Sequence, residues 1–298
     1  MKKLILLLTA ILCLLGVNAQ DVLTIEEKNS VYKKEKHHNK RVQKYSPLRQ
    51  ADVMWSRKIW REIDLRQKIN HPFYYPENDG VGHTILDRKS LIDVIYSAIK
   101  EGSITAYDNP ARDDEFREEM SQDAIKKIGG AKEEMITVPD WEARGMLGGD
   151  PQAMKDTLNK KPFNRNSIKK WRLKEEWFFD KQRSVMDVRI IGLAPLQEDR
   201  DEVTGQISGT FSPLFWVYFP EAREILINAE VFNLVKNNAE RRTYDDIFWK
   251  RMFGSTIVKE SSVMDRKVNE YMVGLDALLE AERIKTEIFN MEHDLWEY

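Results

Sequence analysis

The sequence predicts an α+β fold: an antiparallel sheet meander over about residues 168–220, packed with helices from both halves of the chain and followed by a long C-terminal helix. Three observations carry that expectation. Trp171, Arg172, Leu173 and Lys174 alternate apolar and charged side chains, the period-two pattern of a strand with one buried and one wet face. Two more apolar stretches follow, Val185 to Ala194 and Leu214 to Phe219. The second is apolar on both faces and bounded by Pro213 and Pro220, as expected of a central strand. From Leu275 onward, Leu278, Ala281, Ile284, Ile288, Met291 and Leu295 recur at spacings of three and four, one narrow apolar helical stripe.

Taken in order, the chain opens with Met1-Lys2-Lys3, an apolar run Leu4 to Val17 and a small-residue site at Ala19, which together read as a secretory signal peptide over residues 1–19. The one cysteine, Cys13, lies inside that run and is preceded by Leu12 rather than a small residue, so no lipid is expected on it. Cleavage leaves no cysteine and hence no disulfide in an exported chain. The sequence carries 47 basic and 49 acidic residues, a balance too mild to suggest nucleic acid.

Residues 20–50 are polar and basic and read as a mobile arm; residues 51–298 read as a single α+β domain. Asp52 to Asn70 has a helical pattern, with Val53, Ile59, Trp60, Ile63 and Ile69 near one side. Asn70-His-Pro-Phe-Tyr-Tyr-Pro76 breaks it. Ser90 and Asp93 cap a helix over Leu91–Lys100 that Gly102 ends. Ile104 to Tyr107 suits a short strand, and Asp113 to Ile128 a charged surface helix. Residues 129–163, rich in glycine and proline, read as a long loop. Gln197 to Gly209 reads as a polar loop within the meander. Glu221 to Asn237 is helical in one or two pieces, Thr243 with Asp246 caps a helix through Phe253, and Thr256 to Lys259 suits an edge strand.

The chemistry-bearing patterns are missing. There is no His-Glu-x-x-His helix, no Gly-x-Ser-x-Gly elbow and no Rossmann glycine pattern. The histidines, His37, His38, His71, His83 and His293, are scattered and do not have metal-ligand spacing. Paired acids such as Asp113-Asp114 and Glu175-Glu176 suit solvated faces. A glycosidase-like pair of carboxylates converging in space stays open at this level, so an exported hydrolase is the alternative reading.

Several strings resemble a known family. Asp52-Val-Met-Trp55, Trp60-Arg-Glu-Ile-Asp64-Leu-Arg66 and Asn70 to Pro76 are similar to the signature of the gliding motility protein GldN family, also called PorN. The resemblance continues through Phe178-Phe-Asp-Lys181, Arg189 to Pro195, Phe248-Trp-Lys-Arg251, Lys259-Glu-Ser, Asp265-Arg-Lys and Glu292 to Tyr298. It implies a periplasmic, non-enzymatic subunit of the type IX secretion and gliding machinery, with no catalytic residue and no cofactor. It also implies assembly with a GldK/PorK-like outer-membrane lipoprotein, self-association in a ring under the outer membrane, and cooperation with a GldM/PorM-like motor-shaft protein. Candidate partner contacts are Trp141 and Met146, apolar side chains in the open loop, and the C-terminal residues Ile284, Ile288, Met291, Leu295 and Trp296. The helical stripe fits a groove of the protein's own core or of a partner equally well by spacing.

Overall fold

The computed structural model describes residues 40–77, 88–107, 114–128, 132–139, 154–161, 163, 165–200, 207–232, 237 and 240–294. In chain order the strands are β1 (Val53–Asp64), β2 (Ala106–Tyr107), β3 (Lys132–Pro139), β4 (Met154–Lys161), β5 (Ile168–Asp180), β6 (Val185–Arg200), β7 (Ile207–Pro213), β8 (Trp216–Tyr218) and β9 (Thr256–Glu260). The helices are α1 (His71–Tyr74), α2 (Leu91–Lys100), α3 (Gln122–Lys127), α4 (Phe219–Leu226), α5 (Tyr244–Trp249), α6 (Val268–Tyr271) and α7 (Leu275–Asp294). Seven strands form one antiparallel sheet in the order β2-β8-β6-β5-β1-β9, with β7 beside β6; β3 and β4 pair separately. The expected α+β class, the meander and the long C-terminal helix are all present.

The largest departure is β1, where a helix was expected. Trp55, Arg57, Ile59, Arg61 and Ile63 share one face and pair across from Phe179, Trp177, Glu175, Leu173 and Trp171 of β5. Arginines at alternate inward positions hide the period of two. Arg57 bonds Glu260 and Glu287 at 3.2 and 3.3 Å, and Arg61 meets Glu175 at 3.1 Å. Each inward cation thus has an anion, the condition for burying it. Burial still pulls the Arg61 guanidinium below its ordinary range. Ile59 and Ile63 are fully buried, each contributing about 2 kcal/mol.

Other expectations are corrected locally. Among the described residues of the helix expected over Asp113 to Ile128, α3 alone is an α-helix, starting at the Ser121 cap. The region 129–163, expected as a loop, contains the eight-residue strands β3 and β4 in register from Lys132↔Lys161 to Pro139↔Met154. Ladder bonds between the two strands satisfy the backbone of 132–139 and 154–161; the glycines of the region lie outside the described residues. Where a loop was expected after Gln197, β6 runs on to Arg200 and β7 returns along it. β8 is three residues long, and Phe219 already begins α4. The capped helices are as expected: Ser90 accepts from Asp93 N, and Thr243 and Asp246 form a full capping box. α5 ends at Trp249, short of Phe253.

The main core lies between the sheet and helices α2, α4 and α5, and includes Ile63, Trp171, Leu173, Leu193, Phe219 and Phe248. Asn70, fully buried, ties its rim: its side chain donates to Asp64 O and Gly254 O and accepts from Gly254 N. Arg41 onward belongs to the same compact unit as the sheet. Residues 41–50, expected in a mobile arm, include a strap docked on the body. Arg223 bonds Asp245 through two nitrogens, at 2.7 and 3.1 Å, and donates to Gln43 O at 3.0 Å. Arg189 donates to Ser46 O at 2.6 Å, and both guanidiniums lie over the Tyr45 ring, which stacks on Trp249.

Candidate functional site

Helix α7 is one of two features of the sequence that point toward partners, and its geometry follows from its residues. Gly274, in the left-handed region at φ 63°, turns the chain out of α6. Ala277, Ala281, Ile284 and Ile288 then fall on one side and pack on Ile59 of β1, Ile257 of β9 and Val268 of α6, with Trp55, Trp177 and Tyr271 around them. The two alanines let the helix approach the sheet closely. Polar contacts fix one flank. Glu280 and Glu287 bracket Arg283 at 2.7 and 3.2 Å, and Glu287 also takes Arg57. The Arg57 hydrogen bond holds the Glu287 carboxyl below its usual range, and the Arg283 hydrogen bond does the same for Glu280.

The opposite side of α7 carries exposed apolar residues interleaved with Glu282, Lys285 and Thr286. Leu275 is 70% exposed, Leu278 57%, Leu279 60% and Phe289 65%. At about 100° per residue these positions gather on the arc away from Ile284. Met272, Val273, Val263 and Met264 are exposed nearby in sequence, so more than half of the large apolar side chains exposed among the described residues fall between Val263 and Phe289. These exposed apolar side chains are more than the helix's own core uses. Beside it, a cleft of about 430 Å³ runs between α7 and the start of β1, lined by Trp55, Arg57, Arg283, Ile288 and Met291 among others.

The structure divides the expected contacts. Ile284 and Ile288 are buried against the protein's own sheet, so the stripe fits an internal groove. Met291 is half-buried at the cleft. Leu278, expected within the inward stripe, is exposed, because its arc lies well off the Ile284 side. Trp141, Met146, Leu295 and Trp296 lie outside the described residues. Leu275, Leu279 and Phe289 were not singled out from sequence, yet the signal existed: they are the apolar residues of the helix that the inward stripe does not use.

Carboxylate chemistry finds little footing among the described residues. Buried Glu175 is held by Arg61 and Arg251, Asp245 by Arg223, and Asp93 by Ser90 and Arg165. Among the described residues no group of three or more His, Cys, Asp or Glu side chains is arranged to hold a metal. Among them, too, no helix is long and apolar enough to cross a membrane.

The family model described as gliding motility associated protein GldN matches residues 48–297. The chain belongs to the GldN family. A search of curated proteins finds no match. Membership makes this protein a component of the gliding motility and type IX secretion machinery, and the GldN family is one of structural secretion-system components rather than enzymes. Some of the strings noted in the sequence fall in packed places, Trp60 to Asp64 in β1, Arg189 to Pro195 in β6 and Asn70 at the buried rim, while Asp265-Arg-Lys is exposed.

Proposed function

We propose that the protein is a periplasmic assembly subunit, exported through residues 1–19, that docks the outward face of α7 on a GldK/PorK-like outer-membrane lipoprotein. On this reading copies of the complex associate in a ring under the outer membrane, and a GldM/PorM-like shaft protein engages that ring. The observation that carries the reading is the exposed apolar set on the outward side of α7, where leucines at 275, 278 and 279 are each more than half exposed. A large exposed aliphatic and aromatic set at helical spacing suits helix-in-groove docking. The lipoprotein as occupant comes from the family's membership of the secretion machinery. The test is the double substitution L278S/L279S. Its melting temperature should stay within about 2 °C of the parent, since exposed positions away from special features change stability by at most about 0.5 kcal/mol. Co-purification with the lipoprotein should be lost. Unchanged co-purification removes this face from the account.

A further inference from the structure

The sheet face opposite α7 carries a pocket that the chain fills by itself. Its floor is Gly192, where an added Cβ would stand 2.5 Å from Phe116 Cζ and 3.2 Å from Trp216 Cε3. The Phe116 ring lies edge-on to Trp216, Tyr107 and Tyr218, at centroid distances of 6.3, 5.3 and 5.6 Å. Two residues earlier, the Asp114 carboxylate accepts the Trp60 indole N–H at 2.6 Å and stands 3.4 Å from Lys174 Nζ. That ammonium also donates to the Asp114 carbonyl at 2.7 Å.

Two features separate this arrangement from ordinary packing. Lys174 is only 5% exposed, so its charge has left water and depends on an anion supplied by a short irregular segment rather than by a neighbouring strand. Phe116 is itself half-exposed and holds φ 61°, a left-handed conformation that an aromatic residue rarely adopts. Trp60, Lys174 and Trp216 at the pocket are buried, while its occupant is strained and partly open to solvent. That is the geometry of a tethered ligand: an acid, one spacer and an aromatic ring.

The same acid–spacer–aromatic pattern with aspartate occurs twice more in the chain. Asp246-Ile247-Phe248 is used by a capping box and the core. In Asp294-Leu295-Trp296, Asp294 is the last residue of α7, and the other two lie outside the described residues. Asp294 lines the cleft beside Trp55, on the face of β1 opposite Trp60, so with α7 docked it cannot reach Lys174 of its own chain. A second copy has no such restriction.

We propose that this pocket is a recognition site for an Asp-x-aromatic segment, occupied in cis by Asp114 and Phe116 and in trans by Asp294 and Trp296 of a second copy. Asp294 replaces the Asp114 carboxylate at Lys174 and Trp60, and the Trp296 indole replaces the Phe116 ring over Gly192. Pocket and Asp294 lie on opposite faces of the sheet, so the contact is head-to-tail, the kind that closes into a ring or runs on as a filament. The inference rests on the self-association part of the reading above and names its contact.

The experiment uses the full chain and a labelled peptide covering residues 288–298. F116A, which empties the ring socket, should bind the peptide at least tenfold tighter than the parent protein. Peptides carrying Asp294→Asn or Trp296→Ala should each bind at least tenfold more weakly than the natural peptide. Should F116A fold poorly, the parent protein at higher peptide concentration gives the same ranking, and changes confined to the peptide cannot unfold the protein. Equal binding of the three peptides, or no binding at all, overturns the inference. That outcome is distinct from failure of the assembly reading, which shows as intact lipoprotein co-purification in L278S/L279S.

Discussion

On one face of β1 and β5, helix α7 lays Ala277, Ala281, Ile284 and Ile288 against the sheet; on the other, residues 114–116 insert one ring and one carboxylate. The first cover is distributed. Many small dispersion contacts add up, no single polar partner is required, and the backbone is an unstrained helix. The second is concentrated at two points, uses a buried cation, and bends Phe116 into a disfavoured φ. A distributed cover is hard to remove without unfolding what lies beneath. A point-anchored cover can leave when something of the same chemistry takes its two anchor points.

The sharpest way to break the distributed cover is Ile288→Asp, which places a carboxylate at a position 4% exposed. It should lower stability by about 4 kcal/mol and the melting temperature by about 10 °C. A normal melt would mean that α7 is not packed as described. For the point-anchored cover, Gly192→Ala pushes a methyl into Phe116 and Trp216. The expected loss is about 2 kcal/mol, measured by urea denaturation, with most of it recovered in G192A/F116A because the larger clash is gone. Strictly additive losses would show that Phe116 does not rest on Gly192.

The smallest effect concerns Glu62, which bridges Arg172 at 2.6 Å and Lys170 at 3.1 Å on the second face. Burial pushes its carboxyl up, but the two cations together outweigh it and hold it below the usual range. A folded-state pKa below the unfolded value means stabilisation that is present above about pH 4.3 and is lost as pH falls through the lowered value. Glu62→Gln should therefore destabilise by about 1.5 kcal/mol at pH 7, with the gap to the parent closing as the pH falls through the lowered carboxyl range. A gap that persists unchanged in acid would assign the loss to packing.

The same contrast explains what the sequence made legible. The inward stripe of α7 is periodic, and periodicity survives as a one-dimensional pattern; Leu278 misled because spacings of three and four drift around the helix. In β1 the pattern was present but masked, since Arg57 and Arg61 occupy apolar-face positions that only their partners Glu260, Glu287 and Glu175 make tolerable. Those partners are distant in sequence. Phe116 and Asp114 left no trace at all: three residues have no period, and the pocket's parts come from β1, β2, β5, β6 and β8. The outward face of α7 was half legible, since its apolar residues stood in plain view but the stripe drew attention to the other side.

The strap has a mechanical consequence. Tension applied at Arg41 meets the two guanidinium–carbonyl bonds at Gln43 and Ser46 and the stacked Tyr45 one after another, as a zipper is opened. Behind it, β1 lies between β5 and β9, so a pull along its length loads the ladder bonds together, in shear. The soft part yields first and releases about 20 Å of chain over six residues. A compliant spring is thus set in series with a stiff plate, and the sheet feels a jolt only after the strap has absorbed its share.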